Sequence, residues 1–178
     1  MMKIDTATWN KFFIGDLFEI SRPVARSAKK YQEGTIPFVS TSNFNNGIVK
    51  YCIPEENEAL DEGNCITISP LDGSAFYQPN DFLGRGGAGS SIIMLRNFNL
   101  NEHNGLFLAS VIRTSLTRFS YSDQINKDSI KKEVIKLPTD GDGHPNWKFM
   151  DSYMKDIYKF SNNRIKALEL FFVDWRSI

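Results

Sequence analysis

The sequence predicts an α+β protein: a β-rich globular body over residues 1–145, then one long C-terminal helix over 146–178. Three observations carry this. Short apolar or alternating segments are separated by clusters of turn-forming residues, a single helical pattern interrupts them after Asn101, and from Trp147 apolar residues recur every three or four positions.

With 178 residues the chain suits one domain with a sizeable core, or a body of about 140 residues with an appendage; two full domains would be cramped. Its 41% hydrophobic and 24% charged residues are those of a globular protein and exclude the disordered and fibrous classes. No run approaches the roughly 18 to 20 apolar residues of a membrane span, and Met1 to Asp5 lack a signal-peptide core, so a cytoplasmic protein is expected. Cys52 and Cys65 lie inside apolar segments, where a thiol behaves as a small hydrophobe, and no disulfide is expected. Together with the distant His103 and His144 they match no zinc spacing, and no metal site is expected.

The elements follow in order. "FFIGDLFEI" (12–20) is apolar enough to be pinned to a core. "IPFVS" (36–40), "GIVKYCI" (47–53), "NCITIS" (64–69), "SAFYQ" (74–78) and "SSIIMLR" (90–96) read as strands; "NFNNG", "DEGN", "PLDG" and "GRGGAG" between them turn the chain. In "NEHNGLFLASVIRTSL" Asn101 caps a helix whose Leu106, Ala109, Ile112 and Leu116 share a face. "FSYSDQINKDSIKKEVIKL" reads as a loop and a last strand, which Pro138 ends because it has no N–H for a ladder.

The last helix carries a heptad-like stripe that includes Met150, Tyr153, Met154, Ile157, Ile165, Leu168 and Phe172. A helix of roughly 28 residues is about 42 Å long, longer than a compact body of this size is wide. It is therefore expected to project and to have its stripe covered by another chain. The alternative is a bend back over its own sheet at Asn162 and Asn163, weak helix formers.

Formal net charge is zero, which argues against a protein that simply coats nucleic acid. The charges are nonetheless uneven. "RPVARSAKK" (22–30) holds Arg22, Arg26, Lys29 and Lys30 with no acid, "EENEALDE" (55–62) holds five acids and no base, and residues 113–136 hold six bases against three acids. Solvated surface is the commoner meaning of any one such cluster. "GRGGAGSS" (84–91) lacks the Gly-Lys-Ser/Thr ending of a phosphate loop and precedes a strand, so it reads as a tight turn displaying Arg85. "STSNFNNGI" (40–48) concentrates hydroxyl and amide groups that serve turns or read hydrogen-bonding edges. No nucleophile elbow or conspicuous carboxylate pair occurs, and nothing demands an enzyme.

Four stretches in order, "W…FFIGDLFEI", "GTIPFVSTSNFNNGIVKY", "EGNCITIS" with "AFYQPNDF", and "IKLPTDGDGHPNW" leading through "FMDSYMK" into the helix, resemble the target-recognition domain of the DNA specificity subunits of type I restriction-modification systems. The likeness covers about 150 residues. It implies a non-catalytic domain that reads one half of a split double-stranded DNA site, and a helix that acts as spacer and docking rod. Members usually carry two such units in tandem. A single unit implies a half-length subunit forming a homodimer through the helix as a coiled coil, on an inverted-repeat site. The implied partner is an adenine-N6 DNA methyltransferase, which holds the S-adenosylmethionine, so no cofactor is expected on this chain; a nuclease-translocase subunit often joins.

Chemistry then nominates the DNA contacts. Arg22, Arg26, Lys29 and Lys30 suit phosphates, and Ser42, Asn43, Asn45, Asn46, Arg85, Arg118, Ser120 and Tyr121 suit base edges. The rival readings are the recognition domain of a fused methylase-nuclease, a protein-assembly module that does not bind DNA, and a hydrolase built on the Gly-rich loop.

Overall fold

The computed structural model describes residues 4–87, 90–117 and 124–175, with side chains through Glu169. In chain order the elements are β1 (Asn10–Phe13), α1 (Ile14–Leu17), β2 (Glu19–Ser21), β3 (Glu33–Val39), β4 (Ile48–Cys52), β5 (Cys65–Ile68), β6 (Ala75–Gln78), β7 (Leu83–Gly84), β8 (Ile93–Arg96), α2 (Glu102–Ser115), α3 (Lys127–Lys131), β9 (Val134–Leu137) and α4 (Trp147–Trp175). Short 3-10 turns occupy Ala28–Lys30 and Asn45–Gly47. This is the α+β arrangement expected, and each of the five segments read as strands overlaps one.

Strand alternation organises the body. The antiparallel sheet β2-β8-β5-β6 is covered on both faces, because successive side chains of a strand point to opposite sides. Ile66 and Ile68 of β5 and Ile93 and Leu95 of β8 enter the larger core with Phe107, Leu108 and Ile112 of α2. Their neighbours Cys65 and Met94 face a second core with Val39, Phe82 and Ile92. The small sheet β4-β3-β7 closes over Tyr31, Phe38, Cys52 and Leu83. Both cysteines are free and buried in different cores, and burial pushes the Cys65 thiol up to about 11.

Local chemistry sets the boundaries. Asn101 caps α2 by accepting from the His103 and Asn104 N–H groups, and Asn104 returns the bond to the Asn101 N–H. Gly105 lies against the Tyr77 ring, where any Cβ would collide, so α2 sits close on the sheet. The "FFIGDLFEI" segment is pinned as expected: Ile14, Phe18 and Ile20 are buried, and β1 pairs antiparallel with β9. The segment before β9, read as loop, contains α3. Its Asn126–Ser129 capping box and single buried anchor Ile130 span too few residues for a periodic pattern to show.

α4 is capped by Asn146, whose side chain accepts the Phe149 N–H at 2.9 Å. The expectation that its whole stripe awaits another chain is half corrected. Met150 is 0% exposed in the larger core, and Trp147, Tyr153 and Met154 pack against it, because α2 supplies the covering helix. Phe107 meets Tyr153 edge-on at 5.9 Å. Met150 is thus unavailable to a partner. From Tyr158 to Glu169 every residue is exposed, including Ile165 at 53% and Leu168 at 58%. α4 runs unbroken through Asn162 and Asn163, so the bend weighed as an alternative is absent. The Phe172 side chain lies outside those described. No helix among the described residues is long and apolar enough to cross a membrane.

Candidate functional site

One parallel pairing gathers the nominated loops. β3 and β7 align Phe38 with Leu83 and Val39 with Gly84, so the chain leaves both strands in the same direction. Loop 40–47 and the Gly-rich loop therefore start side by side, joined by the Arg85 N–H to the Val39 carbonyl at 2.8 Å. Ser40 N–H to the Gly47 carbonyl closes the first loop, and Ile92 N–H to the Arg85 carbonyl closes the second. Residues 23–25 lie across the second: Gly84 abuts the Pro23 ring, and Gly86 sits against the Val24 carbonyl where no Cβ fits. The glycines of "GRGG" thus let two loops approach each other.

The basic segment divides. Arg26 does not stand ready for a phosphate: its Nε donates to Glu58 at 2.8 Å, Nη1 to Asp61 at 2.6 Å and Nη2 to the Ala59 carbonyl, and its side chain is 5% exposed. The acid run 55–62, which looked like solvated surface, folds over it. Asp61 also accepts the Gly84 N–H at 2.9 Å, tying this ion-pair network to the Gly-rich loop. Burial acts to raise the Glu58 carboxyl, but hydrogen bonds from Arg26, the Glu55 N–H and Tyr31 outweigh it and hold that carboxyl low. Burial and the bond to Glu58 push the Tyr31 hydroxyl up to about 12. Arg22, Lys29 and Lys30 remain exposed.

Loop 40–47 is braced by hydrogen bonds, and two of its three nominated amides are occupied. Asn46 donates to the Tyr77 carbonyl at 3.0 Å and to Gln78 at 3.2 Å, and Gln78 donates back to the Asn46 carbonyl. Asn45 donates to the Ile48 carbonyl, and the Ser42 hydroxyl accepts the Phe44 N–H. Asn45 and Asn46 both take left-handed backbone, with φ of 48° and 55°, which Asn tolerates better than most residues. These bonds tie the Asn46 amide into the framework, whereas Asn45 stays exposed with its amide on the Ile48 carbonyl. Asn43 is exposed, and the tip displays Phe44 at 75% exposure. Phe44 was not among the nominated contacts, which were chosen for charged and hydrogen-bonding groups. The flanking asparagines in "SNFNNG" were the available signal, since a residue inside a turn cluster has no strand to bury it.

Arg85 is half-buried and donates to the Ser90 carbonyl and hydroxyl, bracing its own loop; it is less displayed than the tight-turn reading expected. Arg118, Ser120 and Tyr121 lie outside the described residues. Asp140, Asp142 and His144 bring ligand atoms within 4.8 Å of one another on the exposed loop before α4. The Asp142 and His144 N–H groups donating to Asp140 account for that gathering.

The profile of the type I restriction modification DNA specificity domain matches residues 6–170. The chain belongs to that family. Over 155 residues it is 29% identical to the specificity subunit S.BcgI of a type II restriction enzyme from Heyndrickxia coagulans, covering 83% of this chain and 42% of that protein. Similar solved structures are the HsdS subunit of Thermoanaerobacter tengcongensis, with a TM-score of 0.56 at 16% identity over 90% of this chain, and the type I S subunit of M. genitalium, with 0.56 at 11% over 93%. A chain from a study of complex assembly in the type I R-M system gives 0.58 at 17% over 93%. At these identities the likeness concerns the fold. The chain spans 40%, 44% and 42% of those three chains' lengths, as it spans 42% of the curated relative's.

Proposed function

We propose that this specificity-domain chain recognises one part of a double-stranded DNA site and directs a partner adenine-N6 DNA methyltransferase to it, without catalysis of its own. The carrying observation is the loop cluster at the end of the β3/β7 pair. Two closed loops and a crossing basic segment are braced against one another, with Arg22, Asn43 and Phe44 exposed along them and Lys29 and Lys30 exposed nearby in sequence. Exposed cations suit phosphates, whereas a braced loop with a polar and an aromatic tip suits groove contacts. Membership of the specificity-domain family supports the same reading. Any S-adenosylmethionine belongs to the methyltransferase, and a nuclease-translocase subunit joins the assembly where restriction accompanies methylation.

In this reading α4 serves assembly. Its proximal turns belong to the body, and its distal half, with Ile165 and Leu168 exposed, pairs with a second copy or a partner subunit. A homodimer would present two identical heads to an inverted repeat.

The test is DNA association by the full chain, with and without an adenine-N6 methyltransferase, as a function of salt. The expected result is sequence-selective binding whose log affinity falls with log salt, in proportion to the phosphates contacted. Absence of salt-sensitive binding in both conditions would favour the assembly-module reading. Light scattering at micromolar concentration tests the pairing, and a strict monomer would remove the homodimer.

A further inference from the structure

Arg113 lies in the last turn of α2 and was not among the nominated contacts. Its guanidinium carbon stands 5.2 Å from the centroid of the Phe76 ring on β6. Ala75 and Tyr77 face the core beneath α2, so by strand alternation Phe76 turns to the opposite side of the sheet. β6 is an edge strand. The Arg113 side chain therefore starts in the helical layer and passes round that edge to finish on the far face.

What occupies that face is loop 40–47. A Cβ at Gly47 would stand 3.6 Å from the Phe76 ring, and Asn46 donates to the carbonyl of Tyr77 beside it. Phe76 is half-buried between the loop and Arg113, so one ring supports both. The arginines of this chain differ in their partners. Arg26 is ion-paired, Arg85 braces its own loop, and Arg96 donates to the Glu62 and Gly63 carbonyls. Arg113 is exposed and makes no ion pair or hydrogen bond among the described residues. A guanidinium over an aromatic face is held there by cation–π attraction while its N–H donors remain available for other acceptors.

We propose that Arg113, its guanidinium placed over the Phe76 ring beside loop 40–47, reads a base edge of the bound duplex, the O6 and N7 acceptors of a guanine being the pair its fork matches. Phe76 is the positioning residue. The inference rests on the DNA-recognition reading above and names one specificity-determining side chain within it.

The experiment selects from a library of fully randomised duplexes with the full chain in the presence of its methyltransferase subunit, comparing wild type, Arg113→Lys, Arg113→Ala and Phe76→Leu. Wild type is expected to select a motif containing a G·C pair that Arg113→Lys no longer specifies. The other positions stay intact, and affinity for the wild-type motif falls about ten- to hundredfold. Lysine retains stem and charge, so folding and the slope of log affinity against log salt are maintained in that variant. Phe76→Leu relaxes the same position to a smaller degree. Selection of the wild-type motif by every variant at unchanged affinity would make the stack purely structural and overturn the proposal. So would an equal loss on all sequences in Arg113→Ala with a salt slope shallower by about 0.9, the mark of one lost phosphate contact. Failure of wild type to select any motif would instead sink the DNA-recognition reading itself.

Discussion

The two halves of α4 carry the same apolar stripe and meet opposite surroundings. Trp147, Met150, Tyr153 and Met154 are built into the larger core against α2, whereas Tyr158, Phe160, Ile165 and Leu168 lie on an exposed surface of the same helix. A three-and-four spacing states that one face is to be covered and is silent about what covers it. The segment 22–30 repeats the lesson with charge: Arg26 is enclosed by Glu58 and Asp61, while Arg22, Lys29 and Lys30 face water. In both places a uniform pattern is split between a part enclosed by the body and a part left exposed.

The largest test of that split is Met150→Asp. It places an unpaired carboxylate where the side chain is 0% exposed and should cost about 4 kcal/mol, read by chemical denaturation; a loss under 1 kcal/mol would mean that proximal α4 is not docked. Arg26→Ala should come next, at about 3 kcal/mol, because it leaves two carboxylates enclosed without their cation. The effect should be on stability, with the salt slope of DNA binding unchanged. A flatter slope at normal stability would return Arg26 to the phosphate-binding set.

Acid sharpens the same contrast. The Glu58 carboxyl is held below its ordinary value of 4.5, so its contribution is present above that value and fades as pH falls through the lower folded-state value. Wild type should therefore lose more stability between neutral pH and pH about 3 than Glu58→Gln does, by thermal unfolding across that range. Equal losses would detach Glu58 from the network. The smallest effect on folding belongs to the distal stripe. Ile165→Glu with Leu168→Glu should leave monomer stability within about 0.5 kcal/mol while reducing self-association in light scattering. A collapse comparable to that of Met150→Asp would abolish the difference between the halves.

Much of the fold was legible in the sequence. The five apolar segments, the Asn101 cap, the stop at Pro138 and the start of α4 all rest on groups only a few residues apart, and the strands and turns follow suit. The site was less legible. Asn46 was chosen for hydrogen-bonding capacity, but the distant Tyr77 and Gln78 claim its amide, while Asn45 donates to the nearby Ile48 carbonyl; the turn cluster around Phe44 shows in the sequence, whereas nothing local places Arg113 over the Phe76 ring.

By itself, then, the sequence determined which segments become strands and helices and where they stop, since period, cap and turn chemistry act over one or two turns of chain. Only the tertiary structure decided which charges cancel, which amides are occupied and which half of a helix is covered. Arg26 finds its acids 32 and 35 residues away, and the loops that follow β3 and β7 become neighbours through a parallel pairing of those strands. Such partners are selected by the path of the whole chain and by which buried groups must be satisfied once it closes, and no local pattern encodes them.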